Sequence, residues 1–237
     1  LKDIINETAF AASTQESRPI LTGVHFVLTD NHSLKTVATD SHRMSQRKIQ
    51  LETAGDNFDV VIPSRSLREF TSVFSDEIET VEVFFSNNQL LFRSQHISFY
   101  TRLLEGTYPD TDRLIPKDFN TTVTFDTANL RHAMERALLL SNATQNGTVK
   151  LDIQNGLVSA HVNSPEVGKV NEELDTLAVS GDDLIISFNP TYLIDALKAV
   201  GHEQVQISFI SPIRPFTLVP NAADEDFIQL ITPVRTN

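Results

Sequence analysis

Seven consecutive residues, Ala38-Thr39-Asp40-Ser41-His42-Arg43-Met44, bring together more kinds of chemistry than any other heptad of this 237-residue chain. Asp40 and Ser41 favour a reversal, because their short polar side chains bond nearby backbone groups. His42, Arg43 and Met44 then supply a base that switches near neutrality, a planar cation and an adaptable apolar side chain. On local grounds this is a hairpin turn with a surface arginine. A binding site is the sharper alternative, and the rest of the chain has to decide between them.

Little else reads as catalytic. Asp110 and Asp112 could act as a paired acid and base, but Pro109 and Pro116 make them solvated acids of a connector. None of the eight glycines lies within two residues of another, so no phosphate-cradling loop is formed. The seven histidines lack metal-ligand spacing and no Gly-x-Ser-x-Gly elbow occurs. The absence of cysteine removes disulfides, thiolate metal sites and a thiol nucleophile. No catalytic residue, metal ligand or cofactor is therefore expected. An enzyme would need a carboxylate constellation invisible in sequence; a duplicated β-rich module binding an unrelated ligand is a third possibility.

The formal net charge of −12 argues against holding nucleic acid by a general positive field. Positions matter more than the sum. Lys2, Arg65, Arg68, Arg131, Arg136 and Lys198 fall on or at the ends of four predicted helices, interleaved with Asp3, Glu7, Glu69, Glu135 and Asp195. Gathered on one surface, they would give a weak, salt-sensitive and sequence-independent grip on phosphates. No apolar run approaches the roughly 20 residues that span a bilayer, and residues 1–7 do not read as a targeting segment. The expectation is a cytoplasmic protein without membrane contact. Asn-x-Thr triplets at Asn120, Asn142 and Asn146 are read as chance.

The elements that position these residues follow from periodicity. Leu1, Ile4, Ile5, Thr8, Ala9 and Ala12 recur at helical spacing. Val24, Phe26 and Leu28 alternate as a strand, Asp30-Asn31 turns, and residues 34–39 return. Strands are expected near 45–51 and 58–62; Pro63 stops the latter, and Ser64 or Ser66 is placed to cap a helix with Leu67, Phe70, Val73 and Phe74 on one face. Three more strands follow at 81–85, 89–94 and 97–103, with a turn at residues 86–88.

Past a Pro-flanked connector the pattern begins again. Leu130, Ala133, Met134, Ala137 and Leu140 repeat the first helix, and Val149, Leu151 and Ile153 stand 125 residues after Val24, Phe26 and Leu28. Asn155-Gly156 answers the first hairpin turn. A strand at 184–188 leads through Pro190 into Leu193, Leu197 and Val200, as Ile62-Pro63 leads into the earlier helix. The chain is thus two copies of one α+β module, residues 1–120 and 121–237, each with two helices packed on antiparallel sheets. Residues 121–127 read as a strand ahead of the second module's first helix. The first module starts at its helix, so a strand, or a whole preceding module, is expected to be missing.

The repeat and its punctuation resemble the bacterial sliding clamp, the beta subunit of DNA polymerase III. Residues 18–24 (Arg-Pro-Ile-Leu-Thr-Gly-Val), the heptad 38–44, residues 105–110 (Glu-Gly-Thr-Tyr-Pro-Asp), 188–192 (Phe-Asn-Pro-Thr-Tyr) and 230–235 (Leu-Ile-Thr-Pro-Val-Arg) carry the match, in the family's order. Full-length clamps have three modules, and this chain is similar to the second and third. Ser41 stands where the family often has Gly, and Met44 where Leu is common.

The resemblance implies a non-catalytic processivity factor. Two full-length subunits pair head to tail into a ring around duplex DNA, with helices lining the hole; a chain without the first module closes no ring. It also implies a pocket for short linear peptides of the polymerase, the clamp loader and repair proteins. The lining carried over by motif is Leu21, Thr39, Ser41, His42, Arg43, Met44, Pro109, Arg113, Leu114, Asn189, Tyr192, Ile213, Pro215, Leu230, Ile231, Thr232, Pro233, Val234 and Arg235. Lys2, Arg18, Arg65, Arg68, Arg131, Arg136 and Lys198 are the implied DNA-facing cations, and Leu139 and Leu140 match the subunit-contact helix.

Overall fold

The 3.6-residue and two-residue periodicities resolve into two compact units, Leu1–Thr111 and Asp112–Asn237. The computed structural model describes all residues except 75–79, 87, 95, 142–146, 165–167, 223–225 and 236–237. The expected turn at Asn87 and the triplets at Asn142 and Asn146 lie in part or wholly outside the described residues. The division falls earlier than residue 120 because the segment before it bonds into the second unit. Asn120 donates its backbone N–H to the Phe209 carbonyl at 2.9 Å and its side-chain Nδ2 to the Ile210 carbonyl at 2.9 Å.

In the first unit, helix α1 (Lys2–Thr8) runs into a 3-10 turn at Ala9–Ala11, with Ile4, Ile5 and Thr8 buried. Strands β1 (Gly23–Thr29), β2 (Ser33–Thr39), β3 (Arg43–Gln50) and β4 (Phe58–Pro63) form an antiparallel sheet in the order β4-β1-β2-β3. Alternation sends Val24, Phe26 and Leu28 into the core. Asp30 and Asn31 turn the β1–β2 hairpin with φ of 51° and 61°, a left-handed backbone that Asp and Asn tolerate.

Helix α2 (Ser64–Val73) starts from Pro63 with no side-chain cap. Instead of capping, the Ser64 hydroxyl accepts from Arg68, and Ser66 accepts from Thr101. Leu67 and Phe70 face inward, and the Phe70 ring lies 4.3 Å from Phe74 and 4.4 Å from Phe92, centroid to centroid. Val73 was expected on this face but is 48% exposed, since the helix ends there and Phe74 takes the inward place. Strands β5 (Glu82–Ser86), β6 (Gln89–Arg93) and β7 (Ser98–Arg102) make the unit's second sheet.

The second unit repeats this plan with additions. Strand β8 (Thr121–Asp126) precedes α3 (Thr127–Ser141); β9 (Val149–Gln154), β10 (Leu157–Ser164), β11 (Gly168–Glu173), β12 (Ala178–Gly181) and β13 (Leu184–Phe188) follow. Helix α4 (Pro190–Val200) and strands β14 (Gln204–Phe209), β15 (Phe216–Pro220) and β16 (Phe227–Ile231) complete it. One sheet runs β13-β9-β10-β11, the order of β4-β1-β2-β3, and the other runs β12-β8-β14-β15-β16. The β9–β10 turn is the two-residue Asn155-Gly156, with φ of 51° and 78°, as a primed hairpin turn requires. Strand β8 pairs along the whole of β14, burying Val205, Ile207 and Phe209. In the first unit every residue of β5, the counterpart of β14, is exposed.

Candidate functional site

The opening heptad forms the β2–β3 turn, and polar bonds fix every part of it. Asp40 Oδ1 accepts the backbone N–H of His42 at 2.9 Å and of Arg43 at 3.0 Å. The Thr39 hydroxyl donates to the Arg43 carbonyl at 2.7 Å and accepts from the Ser41 N–H at 3.1 Å. Ser41, between them, has φ of 78°, a conformation that favours glycine.

Arg43 is more than a rim cation. Its Nε pairs with Asp40 Oδ2 at 3.1 Å, both side chains being about 15% exposed, and its Nη2 donates to the Phe10 carbonyl at 3.2 Å. Its guanidinium also lies 5.5 Å from the Phe10 ring centroid. Arg43 therefore ties the turn to the end of the first helical segment. Ser41 and His42 are exposed.

Arg18 joins this group. Its Nη1 donates to Ser41 Oγ at 2.9 Å across 23 positions of sequence, so it stands over the turn and not on a helix. Spacing carries no trace of that contact. Tyr108 anchors the turn from the other side, its hydroxyl accepting the Thr39 N–H at 3.1 Å while its ring stacks 4.9 Å from His25. Burial pushes the Tyr108 hydroxyl pKa upward against the smaller opposing effect of that hydrogen bond. His25, which bonds Asp59 at 2.6 Å, and Tyr108 also line an open cleft of about 490 Å³ with Glu105 and Gly106.

Several expected lining residues prove to be interior. Leu21, Thr39 and Met44 are 4%, 6% and 2% exposed, so Met44 offers no adaptable wall at the surface. Thr39 and Met44 are register partners on β2 and β3, so the same pair that carries the turn is covered. Pro109 is exposed.

In the second unit the division is similar. Leu230 and Ile231 of β16 are both buried, and Ile231 belongs to the core. Thr232 and Pro233 are half-buried; Val234 is exposed, and its N–H donates to the Ser187 carbonyl on β13 at 2.7 Å, fixing the run of the tail. Asn189 caps α4, accepting the Thr191 N–H at 2.9 Å, and Tyr192 in the first turn packs partly against the core. Leu114 and Ile213 are 50% and 60% exposed, Pro215 is half-buried, and Arg113 and Arg235 are exposed. On α3, Leu139 points outward while Leu140 packs against the core, so only Leu139 presents its side chain freely.

Three arginines on the helices are matched by acids. Arg65 pairs with Glu69 at 3.1 Å, Arg131 with Glu135 at 3.4 Å, and Arg136 with Glu172. That last pairing raises the Arg136 pKa. Arg68 turns back to Ser64 and the Ala9 carbonyl. Lys198 is exposed in the last turn of α4, where a cation complements the helix dipole, and Lys2 is half-buried at the start of α1.

Two copies of one module, helices on antiparallel sheets, with polar turns and apolar side chains left at the surface, define a protein of the DNA-clamp fold. Residues 1–110 match the family model of the DNA polymerase III beta subunit, central domain, and residues 112–235 that of its C-terminal domain. The chain belongs to the DNA polymerase III beta subunit family.

It is 76% identical, over all 237 residues, to a beta sliding clamp of Streptococcus pneumoniae, and spans 63% of that relative's length. The crystal structure of the DNA polymerase III beta chain from Streptococcus pneumoniae superposes with a TM-score of 0.98 at 76% identity, covering 99% of this chain and 62% of that one. A sliding clamp from Pseudomonas aeruginosa, solved bound to griselimycin, is 26% identical with a TM-score of 0.92, covering 99% of this chain and 63% of that one.

Proposed function

We propose that this protein serves as a DNA sliding clamp: a non-catalytic processivity factor of the cytoplasm that encircles duplex DNA and tethers a polymerase, a clamp loader and repair proteins through short peptides. Membership of the beta-subunit family supports this reading. Ring closure as a homodimer is assigned to the protein at the full length of its relatives, since this chain spans 63% of such a relative. A closed ring stays on DNA by topology, so it needs little affinity. Cations matched by Glu69, Glu135 and Glu172 suit a lining that slides. Lys2, Arg65, Arg68, Arg131, Arg136 and Lys198 are the proposed DNA-facing set, and Leu139 is the proposed subunit contact.

The observation that carries the docking reading is that Leu114, Ile213 and Val234, three of the lining residues carried over by motif, are among the large apolar side chains left exposed in the second unit. Burying such side chains contributes roughly 1.5–3 kcal/mol each. After ordering costs, a few anchors leave an affinity near the micromolar scale, about −8 kcal/mol. In the first unit, His42 and Arg43 are the proposed polar peptide contacts and Pro109 a proposed apolar one.

The test is titration of a labelled Gln-x-x-Leu-x-Phe peptide, with griselimycin as competitor. Saturable binding that griselimycin displaces is expected; no binding by the folded protein would overturn the docking reading. For DNA, the expected outcome is weak association lost steeply between low and high salt, and a salt-independent affinity would contradict it.

A further inference from the structure

The sheet of β5, β6 and β7 has two faces by alternation. Leu90 and Phe92 of β6 are buried in the core of the first unit, so the side chains that alternate with them turn away from it. Register sets those outward side chains in rows across the three strands. Phe84, Leu91 and Tyr100 make the central row, with Glu82 and Arg93 beside it on one side and Arg102 on the other.

A sheet face that meets only water has no need of such a row. Phe84 and Tyr100 are 43% and 67% exposed, and Leu91 is half-buried between them. Neighbouring strands lie about 4.8 Å apart, so the two aromatic positions stand about 10 Å apart with Leu91 in the gap. The Arg93 guanidinium lies 4.7 Å from the Phe84 ring centroid and pairs with Glu82 at 2.8 Å, which keeps the cation beside the ring. Arg102 is exposed and makes no ion pair among the described residues. The outward charges of these strands are thus Arg93 and Arg102 against Glu82, a net basic face on a chain of net charge −12.

Exposed rings combined with arginines discriminate among polyanions. A duplex hides the flat faces of its bases in its own stack and offers a sheet only its phosphates, whereas a single strand offers unstacked bases as well. Every base has such a face, so stacking tolerates any sequence. Membership of a DNA polymerase subunit family makes DNA the strand in question.

We propose that the outward face of β5–β7 is a docking surface for single-stranded DNA, on which bases stack against Phe84 and Tyr100 while Arg93 and Arg102 meet the phosphates. The site goes beyond the encircling of duplex DNA and the docking of peptides. It is built on a sheet instead of helices, and it lies within the first unit alone.

The chain contains no tryptophan, so Tyr100→Trp puts a single indole on this face. Oligothymidylate of about ten residues, titrated into that variant at low salt, is expected to quench the indole emission as a base stacks on it. Anisotropy of the labelled strand follows binding to the native protein and to Tyr100→Ala, Phe84→Ala and Arg102→Ala, each verified as folded by thermal melting. Tyr100→Ala is expected to weaken binding at least about fivefold. Arg102→Ala is expected to weaken it about threefold and to make its salt dependence shallower. Tyr100→Ala binds a hairpin duplex and the Gln-x-x-Leu-x-Phe peptide as the native protein does.

No strand binding by the native protein, an indole left unquenched by a bound strand, or native-like strand binding in both aromatic variants overturns the proposal. Oligouridylate bound more tightly than oligothymidylate overturns the assignment to DNA. An oligoglutamate that quenches the indole where the strand does not overturns it in favour of an acidic protein partner. None of these outcomes bears on the duplex or peptide readings, which their own titrations decide.

Discussion

The two units expose their candidate site residues unequally. In the first, the turn at residues 39–43 is polar and fully bonded, and its apolar members, Leu21 and Met44, are buried. In the second, polar groups mostly serve the chain itself, Asn189 by capping α4 and the Val234 N–H by bonding Ser187, while Leu114, Ile213 and Val234 show apolar surface. Substitutions at these positions should therefore cost stability in the first unit and leave it unchanged at the exposed apolar residues of the second. An exposed apolar anchor costs nothing to remove from the folded state, whereas a bonded arginine holds its own turn together.

Substitution at Arg43 tests that contrast most severely. Arg43→Ala leaves the Asp40 carboxylate and the Phe10 carbonyl without this partner in a largely buried place, so a loss of about 2–3 kcal/mol is expected in urea unfolding. Ile213→Ala and Leu114→Ala should behave oppositely, with stability unchanged within about 0.5 kcal/mol but affinity reduced roughly tenfold each, the loss of about 1.4 kcal/mol of burial. Calorimetric titration beside thermal melts separates the two outcomes.

Smaller effects sharpen the same line. Asn189→Ala removes the cap of α4 and is expected to cost about 1 kcal/mol in unfolding free energy. Tyr108 supports the turn through Thr39, and its burial holds the phenol protonated above the pH near 10 at which the unfolded chain ionises. The folded state then binds the extra proton, so stability is intact below that pH and falls as pH rises beyond it. Unfolding midpoints measured from pH 9 to 11 should show the decline, and Tyr108→Phe should flatten it.

Much of this was legible in the sequence where local chemistry decides. Asp40-Ser41 and Asn155-Gly156 announced turns, the alternation of Val24, Phe26 and Leu28 announced a strand, and its echo at Val149 announced the repeat. What stayed hidden depends on contacts distant in sequence. Nothing local says that Arg43 reaches Phe10 or that Arg18 reaches Ser41, since these partners lie 33 and 23 residues apart. Apolar character likewise did not tell which of Met44, Leu230 and Ile231 would be covered and which of Leu114, Ile213 and Val234 would remain at the surface. That depends on how each strand's faces are used and on where loops end.

The measurement closest to the central claim is a titration of a labelled Gln-x-x-Leu-x-Phe peptide into the native protein and into the Leu114→Ala/Ile213→Ala double variant, both verified as folded. Saturable binding near the micromolar range by the native protein, lost by at least about fiftyfold in an equally stable double variant, is the predicted result. Equal affinity in the two proteins, or none in either, would contradict the assignment of the apolar surface of the second unit to peptide docking.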